Sequence, residues 1–263
     1  MEGGNYMKGK GSLTVLNFSG IYEREPWMCS RKDCWISFTA LEGTDGYCTE
    51  EAASEIRRVL SDYTGGGIHF LDSGNYHYVT KFWLEKIRSP FDLAVFDRHS
   101  DLQPPGLLPL TSCGGWLLEV LEEQKYLQDV WLIGPPEEVY QKIPEAYRDR
   151  VKIIGEQEAV LGQGMERLLP PENRRPVYLS IDKDVLREED APTNWDQGNM
   201  TLETLIRWLR HIGSTVPVIG ADICGESAEN GSFPELAETC RKNDKVNQIL
   251  ADCLDKIIFC VTA

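Results

Sequence analysis

Short apolar runs alternate along the chain with stretches whose apolar positions recur every three to four residues, and this rhythm sets the expected architecture. Leu13–Phe18, Ile68–Asp72, Phe91–Phe96, Asp129–Ile133, Val151–Ile154, Val177–Ile181 and Pro217–Asp222 read as strands. Between them, Thr49–Tyr63 carries Ala52, Ile56, Val59 and Leu60 on one helical face behind an acidic first turn. Helices are also expected over Tyr76–Ile87, Trp116–Gln124, Pro136–Ala146, Glu156–Leu168 (in spite of its glycines), Leu202–His211 and, in one or two segments, Pro234–Phe259. Strands that are apolar throughout and separated by helices predict a mostly parallel sheet covered on both faces, a three-layer α/β/α fold. No repeat, low-complexity run or linker interrupts the pattern, so residues 1–263 read as one domain. The loop-rich stretch 19–48, with Pro26, Trp27, Trp35 and Gly46, is either a lid or a long connection.

Composition narrows the partners. A formal net charge of −15 without any basic stripe excludes nucleic acid and anionic membrane. The eight cysteines include no CxxC pair and read as reduced and mostly buried. Met1–Gly11 lacks an apolar core of signal-peptide length, and no stretch approaches ~18 consecutive apolar residues, so a soluble cytoplasmic protein is expected. A nucleotide-binding Rossmann module is disfavoured: no GxGxxG or P-loop follows the first strand, and Gly65-Gly66-Gly67 precedes a strand instead of opening a helix.

The chemistry gathers where parallel sheets bind ligands, at the carboxyl ends of the strands. Asp97, His99 and Asp101 follow Phe91–Phe96 at every second position, which turns all three to one side at ~6.6 Å intervals if the chain stays extended. Asp182 and Asp184 do the same after Val177–Ile181, Asp222 closes another strand, and Asp72–His77 follows Ile68–Leu71. Four carboxylates and an imidazole facing one cleft require a cation or protonation. A divalent metal answers that requirement, and an oxygen-rich set with imidazole suits manganese. His69 and His211 stand in no such pattern and read as structural.

These residues resemble the arginase/agmatinase (ureohydrolase) family. Asp97-Arg98-His99-Ser100-Asp101 is similar to its Asp-Ala-His-x-Asp motif, and Ser180-Ile181-Asp182-Lys183-Asp184 to its Ser-x-Asp-x-Asp signature. Ser73-Gly74-Asn75-Tyr76-His77 is a looser counterpart of a Gly-rich turn that ends in a metal-binding histidine. The resemblance implies His77 and Asp101 on one manganese ion, His99 and Asp184 on a second, and Asp97 and Asp182 bridging both. It implies hydrolysis of a guanidino C–N bond by a hydroxide shared between two ions ~3.5–4 Å apart, with Asp101 accepting a hydrogen bond from it. The substrate would be a small molecule or a peptide, and homo-oligomers are frequent in the family.

Three segments depart from the family pattern. Thr111–Trp116 lacks the proton-shuttling histidine, and Arg187–Gly198 replaces an Asp-Pro and Gly-Thr-rich loop. The late Asp-x-x-Glu motif, whose carboxylates meet the guanidinium, becomes Asp222-Ile223-Cys224-Gly225-Glu226 with the glutamate one residue further on. Glu226 is still a pocket candidate, while Asp222 reads equally as catalytic or as a strand-end or capping aspartate. Trp27, Trp116 and Trp195 are possible walls that more simply belong to the core, and Cys113 and Cys224 read as buried structural thiols rather than pocket residues. Two alternatives stay open: a single-zinc deacetylase of the same fold, using Asp97, His99 and one of Asp182 or Asp184, and a non-catalytic binding protein stabilised by metal.

Overall fold

The computed structural model describes residues 13–31, 34–106, 110–168, 175–227 and 233–259. The glycine-rich lead Met1–Gly11 and Cys260 lie outside them. The strands are β1 (Leu13–Asn17), β2 (Trp35–Ser37), β3 (Tyr47–Cys48), β4 (Ile68–Phe70), β5 (Phe91–Phe96), β6 (Thr111–Ser112), β7 (Leu127–Ile133), β8 (Val151–Ile154), β9 (Val177–Asp182) and β10 (Val218–Cys224). The helices are α1 (Pro26–Cys29), α2 (Glu50–Leu60), α3 (Val79–Leu84), α4 (Trp116–Glu123), α5 (Glu156–Leu161), α6 (Leu202–Thr215) and α7 (Phe233–Phe259). Eight strands form one sheet in the order β2-β1-β4-β10-β9-β5-β7-β8, and its pairings are all parallel. β3 and β6 form a separate antiparallel pair.

Strand alternation divides the core into two layers. Ala94 and Phe96 of β5 join Val177, Leu179 and Ile181 of β9 on the face covered by α1, α5, α6 and α7. Leu93 and Val95 join Tyr178 on the opposite face, under α2, α3 and α4. This is the expected three-layer α/β/α arrangement. Thr49 caps α2 by accepting the Ala52 N–H, with Glu50 and Glu51 in the first turn where the helix dipole favours acids.

The helix readings need correction in three places. Pro136–Ala146 is not α-helical but two 3-10 turns, Glu137–Lys142 and Glu145–Tyr147, separated at Ile143 and Pro144, whose extended conformations break the helix. α5 stops at Leu161 because Gly162 and Gly164 take left-handed φ values of 70° and 87°, which end the helix before Leu168. The helix expected over Tyr76–Ile87 shortens to α3, preceded by a 3-10 turn at Gly74–Tyr76. The stretch 19–48 is mostly tied down: α1 packs on α7, and β2 extends the sheet beside β1. No helix among the described residues is long and apolar enough to cross a membrane. Cys29, Cys48, Cys113, Cys224, Cys240 and Cys253 are free thiols.

His69 and His211 both have internal partners. His211 Nε2 lies 3.0 Å from the Met165 carbonyl. His69 stacks on Trp83 at 3.6 Å, and its Nδ1 lies 3.0 Å from Tyr178 Oη. Burial lowers the His69 pKa to about 3, so the folded protein holds it neutral. An unfolded chain takes up that proton below about pH 6.5, so the stability present above that value is lost progressively as pH falls toward 3. Between pH 7 and 5 the loss is about 2 kcal/mol. The stability gap between wild type and His69→Gln should therefore shrink by about that amount over this range, read from urea midpoints. A constant gap would contradict a neutral buried imidazole.

Candidate metal centre

Four adjacent strands, β4, β10, β9 and β5, end at the same edge of the sheet, and their last residues or following turns converge there. β9 delivers Asp182, and the 3-10 turn Lys183–Val185 that follows brings round Asp184, whose N–H bonds to Asp182 Oδ1 at 2.9 Å. Asp97 follows β5 and accepts the His99 N–H at 2.5 Å, so the chain turns sharply instead of staying extended. Asp101 sits at a left-handed φ of 50°, and that reversal directs its carboxylate back to His77. His77 arrives from the turn after β4. All six residues expected from the sequence are therefore brought together.

His77 Nδ1 lies 3.0 Å from Asp101 Oδ2, 3.2 Å from Asp97 Oδ2 and 3.6 Å from Asp182 Oδ2. Its Nε2 lies 2.9 Å from Ser180 Oγ, which donates its only hydrogen to Asp222 Oδ1 at 2.7 Å. Ser180 therefore accepts from the His77 Nε2–H, which leaves a neutral His77 with a bare Nδ1 lone pair facing three carboxylates. His99 repeats the arrangement: Nε2 meets Asp196 at 2.9 Å, and Nδ1 faces Asp184 at 2.7 Å and Asp97 at 3.5 Å. Lone pairs pointed at carboxylates are repulsive unless a cation or a proton stands between them.

The ionisation of the cluster tells the same story. Burial, then the Asp184 and Asp97 charges, raise Asp182 to about 7; burial and Asp97 raise Asp184 to about 6. Burial works against a charged His99, yet Asp184 and Asp97 outweigh it and push the imidazole up to about 12. The acids of the centre outnumber its two imidazoles, so it draws in protons or cations. Ligands ~2.1 Å from one ion stand ~3.0–3.5 Å apart, which the His77 distances to Asp101 and Asp97 match. His77, Asp97 and Asp101 form one group able to hold a metal, and Asp97, His99 and Asp184 form another. The donor set fits divalent ions.

The family model for the arginase family matches residues 29–228. A protein of Thermotoga maritima described as uncharacterized is 34% identical over 214 residues, covering 81% of this chain and 79% of its own. The chain belongs to the arginase family. The family hit and its structural neighbours make it a divergent arginase/agmatinase-type member. Its fold resembles that of a hypothetical agmatinase from Burkholderia thailandensis (TM-score 0.64, 17% identity, covering 95% of this chain and 87% of that one). It is also similar to the agmatine ureohydrolase of Thermoplasma volcanium (TM-score 0.62, 15% identity, 97% and 92% covered) and to arginase from Bacillus cereus (0.59, 15%, 94% and 98%). Membership of this family supports a hydrolase.

In this arginase-family chain the centre opens into a cavity of about 250 Å³. Asp97, His99, Asp101, Asp182 and Asp184 form its floor, and Asp45, Tyr47, Asn75, Gln103, Cys113 and Trp195 are among its walls. The divergent loops are therefore the walls. Trp195 Nε1 and Asn194 Nδ2 both donate to Asn75 Oδ1, and Asn75 Nδ2 donates to Asp45 at 2.7 Å, which fastens the 187–198 loop to the rim. Of the tryptophans read as possible walls, only Trp195 lines the cavity. Trp27 packs edge-on to Phe70, and Trp116 is fully buried, donating to Asp101 Oδ2 at 2.5 Å. Cys113 is half-buried in the wall rather than a core thiol.

Two predicted residues lie elsewhere. Glu226 does not line the cavity: it is buried against Lys183 Nζ and Asn247 on the far side of the strand end. Gly225 causes this, because its φ of 94° sends the chain under Asp182 and Lys183, where an added Cβ would lie 2.5 Å from Asp182 Oδ1. Asp222 lies within β10 and meets the centre through Ser180, whose hydroxyl donates to its Oδ1. Sequence reasoning missed the roles of Ser180, Trp116 and Asp196. For Ser180 a signal existed, since it sits two residues before Asp182 on a strand and must share its face.

Proposed function

We propose that this chain hydrolyses a guanidino C–N bond with two divalent metal ions, manganese by donor type, and that residues 1–263 act as one unit. The observation that carries this reading is Asp97, whose Oδ2 faces His77 while Oδ1 faces His99. One carboxylate turned to two imidazoles is placed to serve both ions. His77 and Asp101 would hold one ion and His99 and Asp184 the other, with Asp97 and Asp182 shared between them.

When bound, the ions supply a nucleophile from water at neutral pH and polarise the scissile carbon. Asp101, anchored by the Trp116 N–H, receives the proton that the attacking water gives up. No histidine stands at 111–116, so Asp101 also returns that proton to the leaving amine. The cavity walls include no lysine or arginine among the described residues. Asp45 attracts a cation, and Tyr47 and Trp195, 62% and 43% exposed, offer it ring faces. A positively charged guanidino group, free or on a peptide, fits these walls better than an anion.

The test is metal analysis of the purified full chain together with urea release from arginine, agmatine, other guanidino acids and arginine-containing peptides. Two ions per chain and urea from at least one compound are expected. A single tightly held zinc, with acetate released from acetylated amines assayed in parallel, would instead establish the deacetylase reading, and metal without any turnover a binding role. Ser180→Ala removes the acceptor that orients His77, so metal affinity should drop roughly 10–100-fold. Equilibrium dialysis measures this, and unchanged affinity would refute the orienting role.

A further inference from the structure

The two-ion scheme leaves one donor unused. Cys224, the last residue of β10, is fully buried, and its Sγ lies 3.2 Å from Asp182 Oδ2. Its sulfur, an Asp182 oxygen and a His77 ring nitrogen all lie within 4.8 Å of one another. Strand alternation puts Cys224 on the face of Asp222, the residue that orients Ser180 and hence His77. The tight Gly225 turn holds the end of β10 against Asp182. A cation bonded to both His77 Nδ1 and Asp182 Oδ2 therefore stands beside a sulfur.

We propose that Cys224 is a thiolate ligand to the ion on the His77 side, so that this position takes a borderline ion such as zinc, cobalt or iron in preference to manganese. The inference rests on the two-metal reading above. As the sulfur–metal bond forms, the S–H bond breaks and the proton leaves to solvent. Thiolate is a soft donor and manganese stands lowest in the affinity order of these ions, so sulfur widens the gap between them. The His99 position, with Asp97 and Asp184, offers only oxygen and nitrogen. The two positions thus differ in kind: the two-metal reading stands, with manganese suited to the His99 position and a borderline ion at the His77 position.

Cobalt(II) is the probe, because a cobalt–thiolate bond has a charge-transfer absorption in the near ultraviolet that oxygen and nitrogen ligands do not give. Metal-stripped full-length protein is titrated with cobalt, with bound metal counted by dialysis. Two cobalt ions per chain and a thiolate band are expected, with the band absent in Cys224→Ser and retained in Cys113→Ser. The zinc-over-manganese preference should fall at least about tenfold in Cys224→Ser. Two bound cobalt ions without the band in wild-type protein would overturn the inference and leave the two-metal reading standing. A band lost in Cys113→Ser but kept in Cys224→Ser would also overturn it, and no bound cobalt at all would sink both readings.

Discussion

Asp182→Asn is expected to lower turnover at least about a thousandfold and to reduce the metal content from two ions per chain to one or none. The substitution keeps the shape of the side chain but removes a negative charge from a position where His77, Asp97 and Asp184 all converge. An amide also turns N–H groups toward any cation nearby. Stability should move the other way. Burial and the Asp184 and Asp97 charges raise the Asp182 pKa to about 7, so without metal the variant loses a repulsion and should melt no lower than wild type. Activity, metal analysis and melting in chelator together decide the matter: full activity would refute the mechanism, and a large drop in melting temperature without metal would make Asp182 structural.

Lys183 supplies the second large effect, this time on the fold. Strand alternation turns Lys183 away from the metal centre and under α7, where it is fully buried. There it donates to Glu226 and, at 3.0 and 3.1 Å, to Asn243 and Asn247. Burial and then Glu226 push the neighbouring Glu25 carboxyl well up, which leaves the Lys183–Glu226 ion pair as the central contact of the cluster. Lys183→Met leaves Glu226 charged and unpaired, which should cost about 3–5 kcal/mol and lower the melting temperature by roughly 10 °C. Adding Glu226→Gln should restore part of the loss, because the stranded charge is then gone. If the double variant were as unstable as the sum of the single ones, the ion pair would not be the cause.

The layered fold was legible because its signal is repetitive: apolar runs of strand length, each followed by a helical face, leave few arrangements other than a covered parallel sheet. The four acids and one imidazole at the ends of β5 and β9 were legible for a similar reason, since period-two spacing at a strand end survives almost any local detail. Glu226 was not. Its place depends on the dihedral of Gly225, and a single left-handed residue moves it from the cavity side to the Lys183 side. Neither was Trp116, an apolar core position by pattern that also carries an N–H aimed at Asp101. The glycines after Leu161 weighed less in the periodic reading than in the structure, where left-handed φ values stop α5.

The strand order has a consequence for assembly. β10 is the last strand in sequence among the described residues, yet it is fourth in the sheet, between β4 and β9. Until it inserts, those two strands have no neighbour on their facing edges, and the protein is two half-sheets, β2-β1-β4 and β9-β5-β7-β8. The division runs through the ligand set, with His77 on one side and Asp97, His99, Asp101, Asp182 and Asp184 on the other. Insertion of β10 is thus a keystone step for one of the two positions: the Asp97, His99 and Asp184 group lies within one half-sheet, whereas the His77 position is complete only when the sheet closes.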